Sequence, residues 1–151
     1  MMYKNILCPV DGSETSNRGM QEAIKLAKDQ HAKLMFIHVF DAYFPIIDGV
    51  GNFTPVDIKE VLNENAQAVI AEAKKIAKNA GIEAESKVLD SVGGRPSASI
   101  VDYAKAWSAD IIVMGTHGLR GINRVVMGSD AENVIRTSSV PVLLVNMVSN
   151  S

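Results

Sequence analysis

Cysteine, long apolar runs and excess charge are all scarce in this chain of 151 residues. Its single cysteine, Cys8, cannot form an internal disulfide, which fits a reducing compartment. The apolar run after the first residues, Met-Met-Tyr-Lys-Asn, covers only about five positions, too few for a signal peptide or a membrane-spanning helix. These features predict a cytoplasmic protein without a membrane partner.

Charged residues of the two signs nearly cancel, with 15 Lys and Arg against 17 Asp and Glu, for a net charge of −2. This balance gives no electrostatic basis for nucleic acid as a partner. The three histidines and Cys8 are dispersed, without metal-ligand spacing, so we predict no protein metal centre. The length and the 47% share of hydrophobic residues suit a single globular domain over residues 1–151.

Short β-rich segments alternate with longer helical segments along the chain. Strands are predicted over residues 5–10, 33–40, 83–89, 110–114 and 141–145. Between them, a turn is predicted at 11–13, a loop at 41–54, a helix capped by Thr54 that Gly81 ends, and a turn into a helix at 93–96. This alternation predicts an α/β fold, with an open five-stranded parallel sheet and helices on both faces.

The predicted topology also indicates where a ligand would bind. Right-handed crossovers require the chain to reverse its direction across the sheet, and in the strand order 3-2-1-4-5 that reversal lies beside the first strand. Ligands of such sheets bind outside the carboxyl ends of the strands at this point. We therefore expect the loops 11–13 and 115–118 to line a crevice.

A glycine-rich segment follows the fourth strand. Gly115-Thr-His-Gly118 is separated by nine residues from Gly128-Ser129, a spacing of Gly-x2-Gly-x9-Gly-Ser. Glycines let the backbone approach a phosphate and adopt positive φ, and the helix that begins here would supply N–H donors. The same residues also fit a structural interpretation, in which the glycines turn the chain and Ser129 forms a capping box with Glu132. The spacing alone leaves both interpretations open.

Motifs of several enzyme classes are missing from the chain. There is no Walker A sequence and no Gly-x-Gly-x-x-Gly dinucleotide motif. Asp11, Ser13 and His117 are not predicted to form a hydrolytic triad, because the Gly-x-Ser-x-Gly nucleophile elbow is absent. No catalytic residue is therefore predicted.

Four stretches carry a resemblance that covers nearly the whole chain. They are residues 6–13 (Ile-Leu-Cys-Pro-Val-Asp-Gly-Ser), residues 94–96 (Gly-Arg-Pro), residues 109–118, which end in Met-Gly-Thr-His-Gly, and residues 128–145, from Gly-Ser to Pro-Val-Leu-Leu-Val. Together they resemble the universal stress protein family, in the ATP-binding branch with the Gly-x2-Gly-x9-Gly-Ser loop. The resemblance implies a single universal stress protein domain with an adenine-nucleotide alpha hydrolase-like fold.

The resemblance implies a site for ATP or another adenine nucleotide. At its nucleoside end, Asp11 would hydrogen-bond the ribose or the adenine edge, with Pro9 and Val10 beside it. Val39 would meet adenine through its backbone.

At the other end, the glycine-rich loop would follow the ligand from base to phosphates. The residues that would line this path are Met114, Gly115 and Gly118. Those that would hold phosphates are Gly128, Ser129 and the backbone of Asp130. His117 and Arg120 lie within the loop, close enough in sequence to approach the ligand.

Asp130 departs from the family pattern, in which a small apolar residue, commonly valine, follows the Gly-Ser pair. At the first helical position an acid is favoured by the helix dipole by roughly 0.3–1 kcal/mol. The same charge repels a polyphosphate unless a cation bridges them. Asp130 therefore favours a Mg²⁺ requirement if the ligand is ATP.

The implied function is nucleotide binding in stress response or signalling, with little or no turnover and with protein partners that the sequence does not identify. Two alternatives stay open: a slow ATPase or nucleotide hydrolase, since fold alone does not decide function, and a nucleotide-independent chaperone or dimer scaffold. The resemblance also implies a homodimer through the last strand, Pro141 to Val145, because a terminal apolar strand at a sheet edge needs cover.

Overall fold

The computed structural model describes residues 2–40, 55–91, 94–116 and 128–146, and these form strands and helices in strict alternation. The predicted loop at 41–54, with the capping residue Thr54, lies outside the described residues. The elements in chain order are β1 (Asn5–Pro9), α1 (Glu14–Gln30), β2 (Lys33–Phe40), α2 (Pro55–Asn79), β3 (Glu85–Asp90), α3 (Pro96–Trp107), β4 (Ile111–Gly115), α4 (Ser129–Thr137) and β5 (Val142–Val145).

The five strands form one parallel sheet in the order β3-β2-β1-β4-β5. This confirms the predicted α/β class and strand order. The third strand begins two residues later than predicted, at Glu85, because its pairing with β2 starts there, opposite Met35. The helix predicted from Pro55 begins at that residue and ends at Asn79, two residues before Gly81, whose φ is +90°.

The core lies on both faces of the sheet, as the alternation of strands and helices predicts. On one face α1 and α2 pack against β1 and β2, and Met20, Ala23, Ile24 and Ala27 of α1 are all buried there. On the other face α3 and α4 cover Leu7, Met35, Ile37, Ile112 and Met114. None of the described helices combines the length and the apolar character needed to cross a bilayer.

Helix α1 lies directly on the end of β4. A Cβ atom on Gly19 would stand 2.7 Å from the amide nitrogen of Gly115, and a Cβ atom on Gly115 would overlap the carbonyl oxygen of Thr15. Real Cβ atoms do not approach backbone this closely, so both positions exclude a side chain. This contact brings the first turn of α1 to the carboxyl ends of β1 and β4, where the chain reverses its direction across the sheet.

Candidate functional site

A cavity of about 230 Å³ lies at the carboxyl ends of β1, β2 and β4, at the predicted point of reversal. Every predicted site residue that the structure describes lines it: Pro9, Val10, Asp11, Val39, Met114, Gly115, Gly128, Ser129 and Asp130. His117, Gly118 and Arg120 lie outside the described residues. The loop after β1 and the segments on either side of the glycine-rich loop therefore face one crevice.

The turn after β1 is held by side-chain hydrogen bonds. Oδ1 of Asp11 accepts the amide of Ser13 at 2.9 Å, and Oγ of Ser16 accepts the amide of Asp11, also at 2.9 Å. Ser13 is the N-cap of α1, and its Oγ accepts the amide of Ser16 at 3.1 Å. Asp11 is exposed, so this network fixes the backbone of the turn and presents a carboxylate at the rim of the cavity.

Val10 is anchored to β2 by two contacts. Its amide donates to the carbonyl of Ile37 at 2.8 Å, and its carbonyl lies 2.8 Å from Nδ1 of His38. Because a carbonyl only accepts, Nδ1 must carry a proton for this hydrogen bond. His38 therefore has a structural role and supports a residue that lines the cavity.

Gly115 does not need the positive φ that the glycine-rich loop suggests. Among the described glycines, positive φ occurs at Gly12 and Gly81, whereas Gly115 and Gly128 have ordinary negative values or extended backbone. At Gly115 the requirement is the close approach of Thr15, whose carbonyl fills the space of a side chain. Packing against α1 therefore requires glycine at this position, which is a different structural reason from the predicted turn.

The start of α4 differs from the predicted capping box. Gly128 is the N-cap, with φ −67° and ψ 158°, and its carbonyl accepts the amide of Glu132 at 3.0 Å. Ser129 is thus the first helical residue and makes no capping hydrogen bond, and Asp130 is the second residue rather than the first. Oε1 of Glu132 instead accepts Nη2 of Arg136 at 2.7 Å, one helical turn onward. Ser129 and Asp130 are both exposed at the cavity.

Sequence reasoning missed several residues that complete the cavity. They are Thr15, Ser16, Pro96, Ile100 and Ala131, whereas Ser13 and Thr116 belong to the loops 11–13 and 115–118 that were expected to line the crevice. The missed residues of α1 and α4 lie close in the chain to predicted residues, and extending each predicted segment by one helical turn would have included them. Pro96 and Ile100 belong to α3, and the motifs give no signal for the way that helix reaches the cavity.

The two sides of the cavity differ in chemistry. Val39, Ile100 and Met114 supply apolar surface, and all three belong to or pack against the core on the α3 face of the sheet. The N-terminal ends of α1 and α4 supply hydroxyl groups and backbone amides, which favour an anion. Asp11 and Asp130 oppose an anion, and no Lys, Arg or His stands among the described lining residues. Nor do the described residues contain a cluster of three or more His, Cys, Asp or Glu suited to hold a metal.

The comparison with known families decides how this arrangement should be classified. The sequence profile of the Universal stress protein family matches residues 2–146, nearly the whole chain. The chain belongs to the universal stress protein family. The predicted family is therefore confirmed, and membership of its ATP-binding branch stays a prediction.

Relatives and solved structures agree with this membership. Universal stress protein MJ0531 of Methanocaldococcus jannaschii is 36% identical over 144 residues, which cover 95% of this chain and 82% of that protein. The structure of MJ0577, from the same organism, has a TM-score of 0.79 at 32% identity and covers 100% of both chains.

Two further solved structures contain nucleotides. A universal stress protein in complex with cAMP has a TM-score of 0.72 at 29% identity, with 98% of this chain and 100% of that chain covered. The universal stress protein of Archaeoglobus fulgidus in complex with dAMP has a TM-score of 0.66 at 27% identity, with 96% and 99% covered. The family therefore includes members that have been crystallised with adenine nucleotides.

Proposed function

We propose that this chain is a single universal stress protein domain that binds an adenine nucleotide, with ATP as the first candidate, in the cavity at the ends of β1, β2 and β4. The observation that carries the proposal is the convergence at this cavity of residues from β1, β2, β4 and α4. These segments are far apart in the chain, and each was predicted to touch the same ligand. The similar structures that hold cAMP and dAMP support an adenine nucleotide as the ligand class.

The chemistry of the cavity fits such a ligand. Adenine would rest on the apolar side, with Val39 beside it and the carboxylate of Asp11 near the ribose hydroxyls. Phosphates would lie toward the N-terminus of α4, where Ser129 leaves its hydroxyl unused for capping. A Thr15 hydroxyl that is buried without a partner among the described residues adds a polar group at the same cavity.

A magnesium ion is part of the proposal when the ligand is ATP. Asp11 and Asp130 place two carboxylates at the cavity, and the described lining residues include no cationic side chain to offset them. A divalent cation on the phosphates would reduce this repulsion. We therefore keep the Mg²⁺ requirement that Asp130 predicts, and the carboxylate of Asp11 is a second reason for it.

We propose binding without appreciable turnover, in a cytoplasmic stress-response or signalling protein whose ligand state is recognised by partner proteins. Among the described lining residues, Asp11 and Asp130 are the ionisable groups. Neither is paired with a described basic side chain that would position water for attack on a phosphate. A slow ATPase remains the alternative, and purified protein with Mg²⁺ and ATP distinguishes the two. Phosphate release that depends on Mg²⁺ would favour the slow ATPase, and rates near the typical enzyme range of about 1–10³ s⁻¹ would favour a true enzyme.

A homodimer through β5 also belongs to the proposal. β5 pairs with β4 on one side and forms an edge of the sheet. Leu143 of this strand and Ile135 of α4 are exposed large apolar side chains. Antiparallel pairing of β5 with its copy would cover this edge.

The test is mass spectrometry of any nucleotide that co-purifies, followed by calorimetric titration of adenosine, AMP and ATP with and without Mg²⁺. Ser129→Ala should weaken ATP binding without changing the unfolding transition, because Ser129 does not cap its helix. Ser139→Ala, an exposed serine outside the cavity, is the matched control. Absence of binding by the wild-type protein to all three ligands would refute the proposal.

A further inference from the structure

Thr15, the second residue of α1, has a buried hydroxyl that no described group satisfies. The residue is 2% exposed, and Oγ1 has no hydrogen-bond partner among the described residues. A buried hydroxyl without a partner is unfavourable, and valine would fill the same volume without that cost. Such a group calls for a partner from outside the described residues.

The position of Thr15 indicates where that partner would be. Thr15 lines the cavity, and its own carbonyl packs against Gly115 at the end of β4. It stands in the first turn of a helix of 17 residues. The amides of Glu14 and Thr15 have no intrahelical acceptor there, because the first four N–H groups of a helix never do. The helix dipole adds a partial positive charge at this point.

The other two hydroxyls of this turn each accept a backbone amide. Ser13 Oγ accepts the amide of Ser16, and Ser16 Oγ accepts the amide of Asp11. Thr15 is thus the hydroxyl of this turn that makes no hydrogen bond to the described residues. In helices threonine adopts two χ1 rotamers, so a change of rotamer can reorient Oγ1 without moving the backbone.

The spacing of the strands separates the two ends of the ligand. Val39, at the apolar end, belongs to β2, and Gly115 belongs to β4, with β1 between them. Two strand spacings amount to about 10 Å, the scale of a nucleoside monophosphate laid across the strand ends. A ligand whose base lies at Val39 therefore brings a phosphate, rather than the base, to Thr15.

We propose that Thr15 Oγ1 donates a hydrogen bond to a phosphate oxygen of the bound nucleotide. The first turn of α1 is then a second phosphate-binding element, in addition to the start of α4. This inference rests on the proposed function and assigns Thr15 a role within that site.

The test compares Thr15→Val, which removes the hydroxyl, with Thr15→Ser, which keeps it. Calorimetry of adenosine and AMP should show about tenfold weaker AMP binding by Thr15→Val, as expected for a hydrogen bond to a charged group. Adenosine binding should stay within about twofold, since adenosine has no phosphate. Thr15→Ser should retain the wild-type preference for AMP. The melting temperature of ligand-free Thr15→Val should equal or exceed that of the wild type, because an unsatisfied hydroxyl is gone.

Thr137→Val is the matched control, since Thr137 is exposed and its hydroxyl donates to the carbonyl of Asn133 at 2.7 Å, away from the cavity. If Thr15→Val does not fold, the ratio of AMP to adenosine affinity in Thr15→Ala against Thr15→Ser gives the same comparison. Unchanged AMP binding by Thr15→Val overturns the inference, as does a parallel loss of AMP and adenosine. In both cases wild-type binding preserves the proposed function. A wild-type protein that binds neither ligand overturns both.

Discussion

Gly19 and Gly115 meet where α1 crosses the end of β4, and a Cβ atom on Gly19 would stand 2.7 Å from the amide nitrogen of Gly115. The pair sets the distance between α1 and the sheet at the place where both line or support the cavity. The glycine at 115 is therefore explained by packing, and its replacement would disturb the cavity whether or not a ligand binds there.

We expect Gly115→Ala to destabilise the protein more than Gly19→Ala. Overpacking costs about 1–3 kcal/mol, and the Cβ atom at 115 would overlap a backbone carbonyl, which cannot move aside as a flexible side chain can. At position 19 about 1 kcal/mol is regained, because alanine favours a helix over glycine. Urea unfolding of both variants, with Ser139→Ala as control, measures the difference.

The double variant tests whether the two costs have one origin. Both substitutions force apart the same pair of backbone segments, so their effects on the free energy of unfolding should be non-additive by about 0.5–3 kcal/mol. Full additivity would mean that the two glycines do not share a contact.

Much of the fold followed from the sequence because it depends on local patterns. The alternation of elements predicted the sheet, and the buried residues Met20, Ala23, Ile24 and Ala27 of α1 recur at the spacing of one helical face. The predicted N-cap of α4, Ser129, was wrong. Glycine and serine both occur at N-caps, and here Gly128 stands directly before Ser129 and takes that position. The spacing of Ser129 and Glu132 suggested a box, but Arg136 holds Glu132 from one turn onward.

The residues of the site that lie at or directly after the carboxyl ends of strands could be predicted from the sequence. The end of β1 and the start of α4 were found in this way, whereas Pro96 and Ile100 were not, since only the packing of α3 on the sheet brings them to the cavity. Thr15 was missed for another reason: a threonine one residue after a helix begins looks ordinary in sequence. Its burial without a partner exists only in the folded chain.

Leu143 provides a test of the proposed dimer. It is 40% exposed on the edge strand β5. Leu143→Lys would place a charge on the paired surface, which is how natural edge strands avoid pairing. We expect a dimer for the wild type and a monomer for Leu143→Lys in sedimentation analysis.

Val61→Lys is the control for added charge. Val61 is 54% exposed on α2, which packs against the β2 side of the sheet rather than beside β5. This variant should remain a dimer. A wild-type protein that sediments as a monomer at high concentration would contradict the proposal, and equal dissociation by both variants would place the interface elsewhere.

Cys8 should make stability depend on pH in alkaline solution. The residue is fully buried, and desolvation raises the pKa of its thiol well above the usual range. The unfolded thiol ionises above its usual pKa of about 8.5, whereas the folded thiol keeps its proton. Ionisation therefore favours the unfolded state. The free energy of unfolding should fall by up to about 1.4 kcal/mol per pH unit as the pH rises past this value.

Cys8→Ala should remove this slope, although its baseline stability will be lower. Burial, with a smaller effect of Glu85, also raises the pKa of Tyr103. The free energy of unfolding should therefore also fall near pH 10 because of Tyr103, in the wild type and in Cys8→Ala alike. The difference between the two curves therefore isolates Cys8. The native thiol should also resist aqueous thiol reagents until the protein unfolds. Rapid labelling under native conditions would show that the site opens locally.

Asp130 should weaken ATP binding and stabilise the helix at the same time. As the second residue of α4 it interacts favourably with the helix dipole, so Asp130→Asn should cost about 0.3–1 kcal/mol of stability. It also lines the cavity beside Ser129. Removal of its charge should tighten ATP binding about three- to tenfold without Mg²⁺, by the Coulomb energy of charges several ångströms apart in a solvated site.

The effect should be smaller for AMP, which carries less charge, and smaller again for ATP with Mg²⁺, since the cation already offsets the carboxylate. Glu132→Gln is the matched control, because Glu132 is also an acid in the first turn of α4 but pairs with Arg136 and does not line the cavity. It should lose a similar amount of stability without changing ATP affinity. If the two variants tighten ATP binding equally, the effect comes from net charge, and the phosphates do not lie beside Asp130.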